Sequence, residues 1–180
     1  MSHNPSDQCT RCGGSGHTVN DCRWPARSDG VIELTLPYPV SANVYWRSFV
    51  PRGHARAIVT LSDEAKAYKA EVAALVRAAG IRSPLAGRVG VEIELYPARP
   101  QDWARRARRD PETWDDDVRC IDLDNANKVL LDAIKGQVIE DDKWVRRIFS
   151  ERMEPDGEAR VVIRVAQLVV QRAQLELVSA

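Results

Sequence analysis

The sequence predicts an α/β (α+β) domain, a small mixed sheet with two main helices, preceded by a short metal-binding segment. Three observations predict it. Apolar residues alternate with period two near residues 31–36, 89–95 and 159–170, the pattern of half-buried strands, and residues 144–153 before the Pro155-Asp156-Gly157 turn also read as a strand. Apolar residues recur with helical spacing over 62–79 and again from Asn125 to the turn at Gly136. Three of the four cysteines fall within the first 22 residues, with a histidine spaced among them. These features divide the chain into residues 1–30, a zinc-binding segment and linker, and residues 31–180, the main domain.

At 180 residues and 44% hydrophobic content, the chain is long enough for one moderate domain with a real core. No run of ~20 apolar residues exists, so no membrane-spanning helix is expected. The first eight residues lack the basic and apolar regions of a signal peptide, so a soluble, cytoplasmic protein is expected. The formal net charge is zero, which argues against a general nucleic-acid binder. Its distribution is uneven. Arg105, Arg106, Arg108 and Arg109 form one basic block, and Arg146, Arg147 and Arg152 form another.

The elements follow in order. Cys9, Cys12, His17 and Cys22 give C-x₂-C-x₄-H-x₄-C, and three thiolates with one imidazole satisfy tetrahedral Zn²⁺. Gly13 and Gly16 let so short a loop turn back around an ion. The segment resembles the CCHC zinc knuckle, a module that commonly binds single-stranded nucleic acid. Knuckles stack bases on exposed aromatics, whereas Val19 stands between the histidine and the last cysteine here, so a purely structural zinc stays open.

A strand is expected over 31–36, then an irregular, proline-broken segment to Trp46, and a second strand over 55–61. Ser62 suits the N-cap of a helix, with Asp63 and Glu64 favourable to its dipole. Ala65, Tyr68, Val72, Leu75, Val76 and Ala79 trace its core face, ending near Gly80. Over 89–95, Val89, Val91, Ile93 and Leu95 face inward and Glu92 and Glu94 lie on a solvated face. Residues 97–119 are long, charged and hold Trp103, Trp114 and the first arginine block. They read either as a phosphate-gripping loop or as a solvated or short helical insertion.

The chemistry concentrates next. Asp122 and Asp124 alternate around Leu123, so in an extended segment both project to one face. From Asn125 the period changes, and Val129, Leu130, Ala133 and Ile134 share one helix face that Gly136 terminates. Lys128 stands one turn after Asp124, and Asp141-Asp142 follow the helix. Each element also has an ordinary role: Asp124 as an N-cap, Lys128 in an ion pair with Asp124 or Asp132, Cys120 as a small buried hydrophobe. Three carboxylates ~5 Å apart would repel by about 3 kcal/mol per pair at an effective dielectric of 20, so such a cluster needs cations. Hard oxygen ligands favour Mg²⁺ or Mn²⁺.

This array resembles the RusA-type Holliday-junction resolvases. It carries their D-x-D-N at Asp122, Asp124 and Asn125, their lysine at Lys128, a D-A at Asp132-Ala133, and an acidic pair at Asp141-Asp142. Leu36, Pro37 and Pro39 with Ser41 and Asn43 resemble the family's N-terminal L-P-x-P-x-S-x-N. The resemblance spans roughly residues 31–170. It implies a RusA-like fold and a Mg²⁺- or Mn²⁺-dependent endodeoxyribonuclease that makes paired nicks in four-way DNA junctions, as a homodimer, in bacterial or phage recombination and repair. Asp122, Asp124 and Asp142 would hold the metal, with Asp141 as an alternative to Asp142, and Lys128 would stabilise the phosphate. Arg105, Arg106, Arg108, Arg109, Arg146 and Arg147 would meet DNA. Two other readings compete: a nucleic-acid-binding module with an inert acidic array, and a different metal-dependent nuclease.

Overall fold

Alternation beginning at Ile32 buries Leu34 and Leu36 and leaves Glu33 and Thr35 in water, so the first element is an edge strand over a core. A computed structural model describes residues 30–53 and 55–168. Cys9, Cys12, His17 and Cys22 of the expected knuckle, His54 and residues 169–180 lie outside the described residues.

In chain order the elements are β1 (Ile32–Pro37), α1 (Ala42–Tyr45), β2 (Trp46–Phe49), β3 (Ile58–Leu61), α2 (Asp63–Ala78), β4 (Val89–Tyr96), α3 (Trp103–Arg109), α4 (Leu123–Ile134), β5 (Val145–Arg152) and β6 (Arg160–Gln167). A 3-10 turn, Asp142–Trp144, leads into β5. The main sheet runs β1-β6-β4-β5; β4 pairs antiparallel with β6 and parallel with β5, so the sheet is mixed as expected. β2 and β3 form a separate two-stranded ribbon.

The parallel β4–β5 pair needs a long connection, and α3 and α4 supply it. Val89, Val91, Ile93 and Leu95 line one face of β4 and are fully buried beneath Val129, Leu130, Ala133 and Ile134 of α4 and Tyr68, Val72 and Val76 of α2. Each such branched side chain contributes about 1.5–3 kcal/mol by leaving water. Ser62 caps α2 as expected, its hydroxyl accepting the Ala65 N–H at 3.1 Å. Leu75 and Ala79 are the exceptions on that face: both are exposed, Leu75 because it lies at the margin of the stripe centred on Val72 and Val76, and Ala79 because it is the C-cap residue beyond the last helical turn.

Three further expectations change. The proline-broken segment contains a helical turn, α1, whose N-cap Ser41 accepts the Asn43 N–H at 3.3 Å. The glutamate face of β4 is not solvated: Arg164 of β6 reaches across to Glu94 at 2.5 Å, Glu92 at 3.4 Å and Glu33 at 2.6 Å. Those carboxylates hold the Arg164 guanidinium well above its ordinary range despite its burial. Residues 97–119 fold back on the domain through α3 and a series of turns. Trp114 is buried with its Nε1 donating to Glu154 at 2.9 Å, and Arg152 donates to the carbonyls of Asp115 and Val118.

Candidate metal and nucleic-acid site

The acidic motif lies at the start of α4, and that start is not where an extended reading puts it. Leu123 is half-buried and falls into step with Ala126, Leu130 and Ala133, so the helix begins at Leu123 rather than at Asn125. Asp122 is the N-cap residue, in extended conformation, and Asp124 lies within the first turn. They therefore flank the first turn of a helix instead of sharing one face of a strand. Both are exposed.

A fixed scaffold brings the chain to this point. The Ile121 N–H donates to the Tyr38 hydroxyl at 3.1 Å, that hydroxyl lies 3.3 Å from Cys120 Sγ, and the thiol donates to the Ile121 carbonyl at 3.1 Å. Burial first, and the neighbouring thiol second, push the Tyr38 phenol up to about 12, so it stays protonated. Cys120 is half-buried and its thiol hydrogen-bonds in this network, so it is not the buried small hydrophobe expected. The segment joining β1 to α1 is thus the clamp that aims the motif.

The carboxylates of the motif are sparsely used by the fold. Asp122 makes no side-chain cap bond, and its only side-chain partner among the described residues is Asn125 Nδ2 at 3.4 Å. Asp124 and Lys128 make no ion pair among the described residues. They stand four apart on an exposed helix surface, so their side chains rise from one face. The positive end of the helix dipole favours both carboxylates but leaves their oxygens open to solvent. Asp132, two turns on, is the contrast. It accepts from the Tyr45 hydroxyl and from Lys69 Nζ at 2.9 Å, tying α4 to α1 and α2. Burial works against its charge, yet these two donors outweigh it and hold its carboxyl below the ordinary range.

Asp141 and Asp142 lie beyond the other end of α4. Lys135, the C-cap residue, reaches Asp141 at 3.1 Å and Asp142 at 3.0 Å. Gly136 ends the helix in the left-handed conformation, φ +72°, as its position suggested. The Lys143 backbone N–H, the Lys135 ammonium and the adjacent Asp142 hold the Asp141 carboxyl down to about 2. Twelve helical residues at about 1.5 Å each span roughly 18 Å, and Asp142, beside Lys135, lies at the opposite end of that span from Asp122 and Asp124. Among the described residues, no group of three or more His, Cys, Asp or Glu side chains could hold a metal ion. The donors at the first turn still fit a hard cation, because Mg²⁺ is commonly held by one or two carboxylates with waters and substrate phosphate.

The arginines divide between the same two ends. Trp103 of α3 lies against Trp114, and Arg152 anchors the connection from α3 to the motif, so α3 belongs to the end where α4 begins. Arg105 and Arg106 pair with Asp102, Arg109 pairs with Asp110, and Arg108 donates to the Ala104 carbonyl. Exposed pairs of this kind are worth about 0–1 kcal/mol, so a phosphate can displace them at small cost. Arg146 and Arg147 stand at the start of β5, beside Asp141 and Asp142. Sequence reasoning did not single out Lys69 or Lys135, or the pairing of Tyr45 with Asp132. The Tyr45–Asp132 contact joins residues 87 apart and leaves no local signal.

Among the described residues no helix is long and apolar enough to cross a membrane. The family model described as Endodeoxyribonuclease RusA matches residues 37–166, most of the chain and all of the acidic motif. No curated protein matches the chain.

Proposed function

The chain belongs to the RusA family of endodeoxyribonucleases, which resolve Holliday junctions, and on that premise we propose that it cuts four-way DNA junctions by paired, symmetrical, Mg²⁺- or Mn²⁺-dependent nicks. One observation carries the metal-dependent reading: Asp122 and Asp124 stand exposed at the first turn of α4, and Lys128 one turn on, with almost no side-chain partners among the described residues. Charges that the fold does not use are available to a ligand.

Asp122 and Asp124 would hold the ion, and the chemistry it would supply when bound is neutralisation of phosphate charge and activation of water. Lys128 donates to a non-bridging phosphate oxygen, so charge that grows as the phosphorus is attacked meets a positioned cation. Asp142, with Asp141 as its alternative, is the third carboxylate of the set and belongs to the far end of α4. The arginines of α3 and Arg146 and Arg147 track the phosphate backbone and set the enzyme's position, not its base preference. A homodimer supplies two sites for two nicks. The setting is recombination and repair in the cytoplasm of a bacterium, or of a phage-infected one. Cys9, Cys12, His17 and Cys22 bind Zn²⁺ and form a knuckle that touches single-stranded nucleic acid or only holds its own segment folded.

Incubating the pure protein with a synthetic four-way junction and with linear duplex, with Mg²⁺ or with chelator, tests the reading. Paired nicks in the junction alone, abolished by chelator, support it. Equal cutting of both substrates supports a general nuclease instead, and binding without cutting supports a nucleic-acid module. Metal analysis finding no zinc in the full chain would remove the knuckle.

A further inference from the structure

From Leu34 to Ser62 the sequence contains no Asp or Glu, yet it holds Arg47, Arg52 and Arg56, a segregated basic stretch in a chain of zero formal charge. Most of it is the β2–β3 ribbon, a sheet of its own that turns at Arg52 and Gly53. The root of the ribbon is tied to the domain. Tyr45 is buried, its carbonyl accepts the Ser62 N–H at 3.0 Å, and Trp46 rests edge-on against the Tyr45 ring. The outer part stands in water: Phe49, Val50, Ile58 and Val59 are 42–64% exposed.

Register decides what each face offers. Trp46 and Leu61 share one face with Ser48 and Val59, and Arg47 and Thr60 share the other with Phe49 and Ile58. Apolar groups are thus exposed on both faces, where a ribbon packed on a core shows them on one. Such a contiguous patch marks a binding surface. Arg47 lies over the Phe49 ring at 5.6 Å and reaches Asp63 at 3.4 Å, an exposed pair that a phosphate displaces at small cost. Aromatic rings interleaved with arginines and free of carboxylates suit the bases and phosphates of a nucleic acid. A second copy of the ribbon suits them poorly, because it sets arginine against arginine with no acid to answer.

The root places the ribbon. Tyr45, the residue before it, donates to Asp132. Asp124, Lys128 and Asp132 follow at four-residue spacing along one side of α4, so the ribbon rises from the side that carries the proposed site. We infer that the β2–β3 ribbon is a base-stacking arm. Phe49, with Trp46 behind it, receives a base unstacked at the branch point of the junction, and Arg47, Arg52 and Arg56 hold the adjoining phosphates. The inference rests on the junction-cutting reading above and deepens it, assigning recognition of the branch to a part of the fold separate from the acidic motif.

Full-length protein and a synthetic four-way junction with 2-aminopurine at the branch point, mixed with no Mg²⁺ or Mn²⁺ so that nothing is cut, test this. Binding of the wild type changes the 2-aminopurine fluorescence. Phe49→Ala abolishes that change and weakens junction binding by roughly 10-fold or more, while linear duplex binds as before. Phe49→Trp restores both; Phe49→Leu, apolar but without a ring, restores neither. Arg52→Ala with Arg56→Ala weakens both substrates and makes the salt dependence shallower by about 1–2 in slope. The inference fails if the wild type leaves the fluorescence unchanged, if Phe49→Leu serves as well as Phe49→Trp, or if the arginine pair leaves the slope unmoved. It fails if Phe49→Ala weakens linear duplex as much as the junction, the mark of a ribbon lying in a groove. It fails too if Phe49→Ala keeps its junction affinity but loses binding to phosphatidylglycerol vesicles or, in sedimentation, dissociates a dimer. A fluorescence change that depends on Phe49, with no nicks once Mg²⁺ is added, supports the arm and sinks the junction-cutting reading alone.

Discussion

Three carboxylates along α4 meet different fates. Asp132, in the third turn, is bound by Tyr45 and Lys69 and fastens the helix to α1 and α2. Asp122 and Asp124, at the first turn, take one long contact from Asn125 between them among the described residues and are exposed. The residue type is the same, and the helix is the same. What separates a structural carboxylate from a functional candidate is whether the fold has already supplied its counter-charge.

The comparison breaks most visibly at Asp124. Asp124→Asn is expected to reduce junction cleavage by ~100-fold or more, since a bound ion contributes several kcal/mol to the transition state, while thermal stability hardly moves. Thermal melts beside single-turnover cleavage check both halves. Lys128→Ala comes next, with a loss of roughly 100-fold in the cleavage rate but near-normal junction affinity, the mark of a charge used only in the transition state. Tyr45→Phe should show the converse pattern. It removes a hydrogen bond to a half-exposed carboxylate, costs about 1 kcal/mol of stability by denaturant unfolding, and leaves the cleavage rate within a few-fold.

Much of this contrast was legible in the sequence, and the rest was not for definite reasons. Ser62 with Asp63 and Glu64 announced α2, and the alternation from Val89 to Leu95 announced the central strand, because both signals are local. Leu123 misled because a single leucine between two aspartates satisfies either period. Only the burial of Ala126 and Leu130 beneath the same face decides for the helix. The bond between Tyr45 and Asp132 has no local signature, so Asp132 looked like part of the acidic array. The solvated face expected for Glu92 and Glu94 failed on Arg164, a residue 70 and more positions away.

The smallest effect concerns the downstream pair. Asp141 has its carboxyl lowered from 3.8 to about 2, so its contacts with the Lys143 N–H and Lys135 add stability above pH 3.8 and lose it as pH falls through about 2. An NMR titration should find the Asp141 midpoint near the lower value, and Lys135→Ala should move it upward.

The central claim is that the first turn of α4 holds a hard divalent ion. Titration of the full-length protein with Mn²⁺, followed by calorimetry and electron paramagnetic resonance, tests it directly against the double variant Asp122→Asn, Asp124→Asn. Saturable binding by the wild type that disappears in the folded variant is the expected result. Equal binding by both proteins would contradict the account.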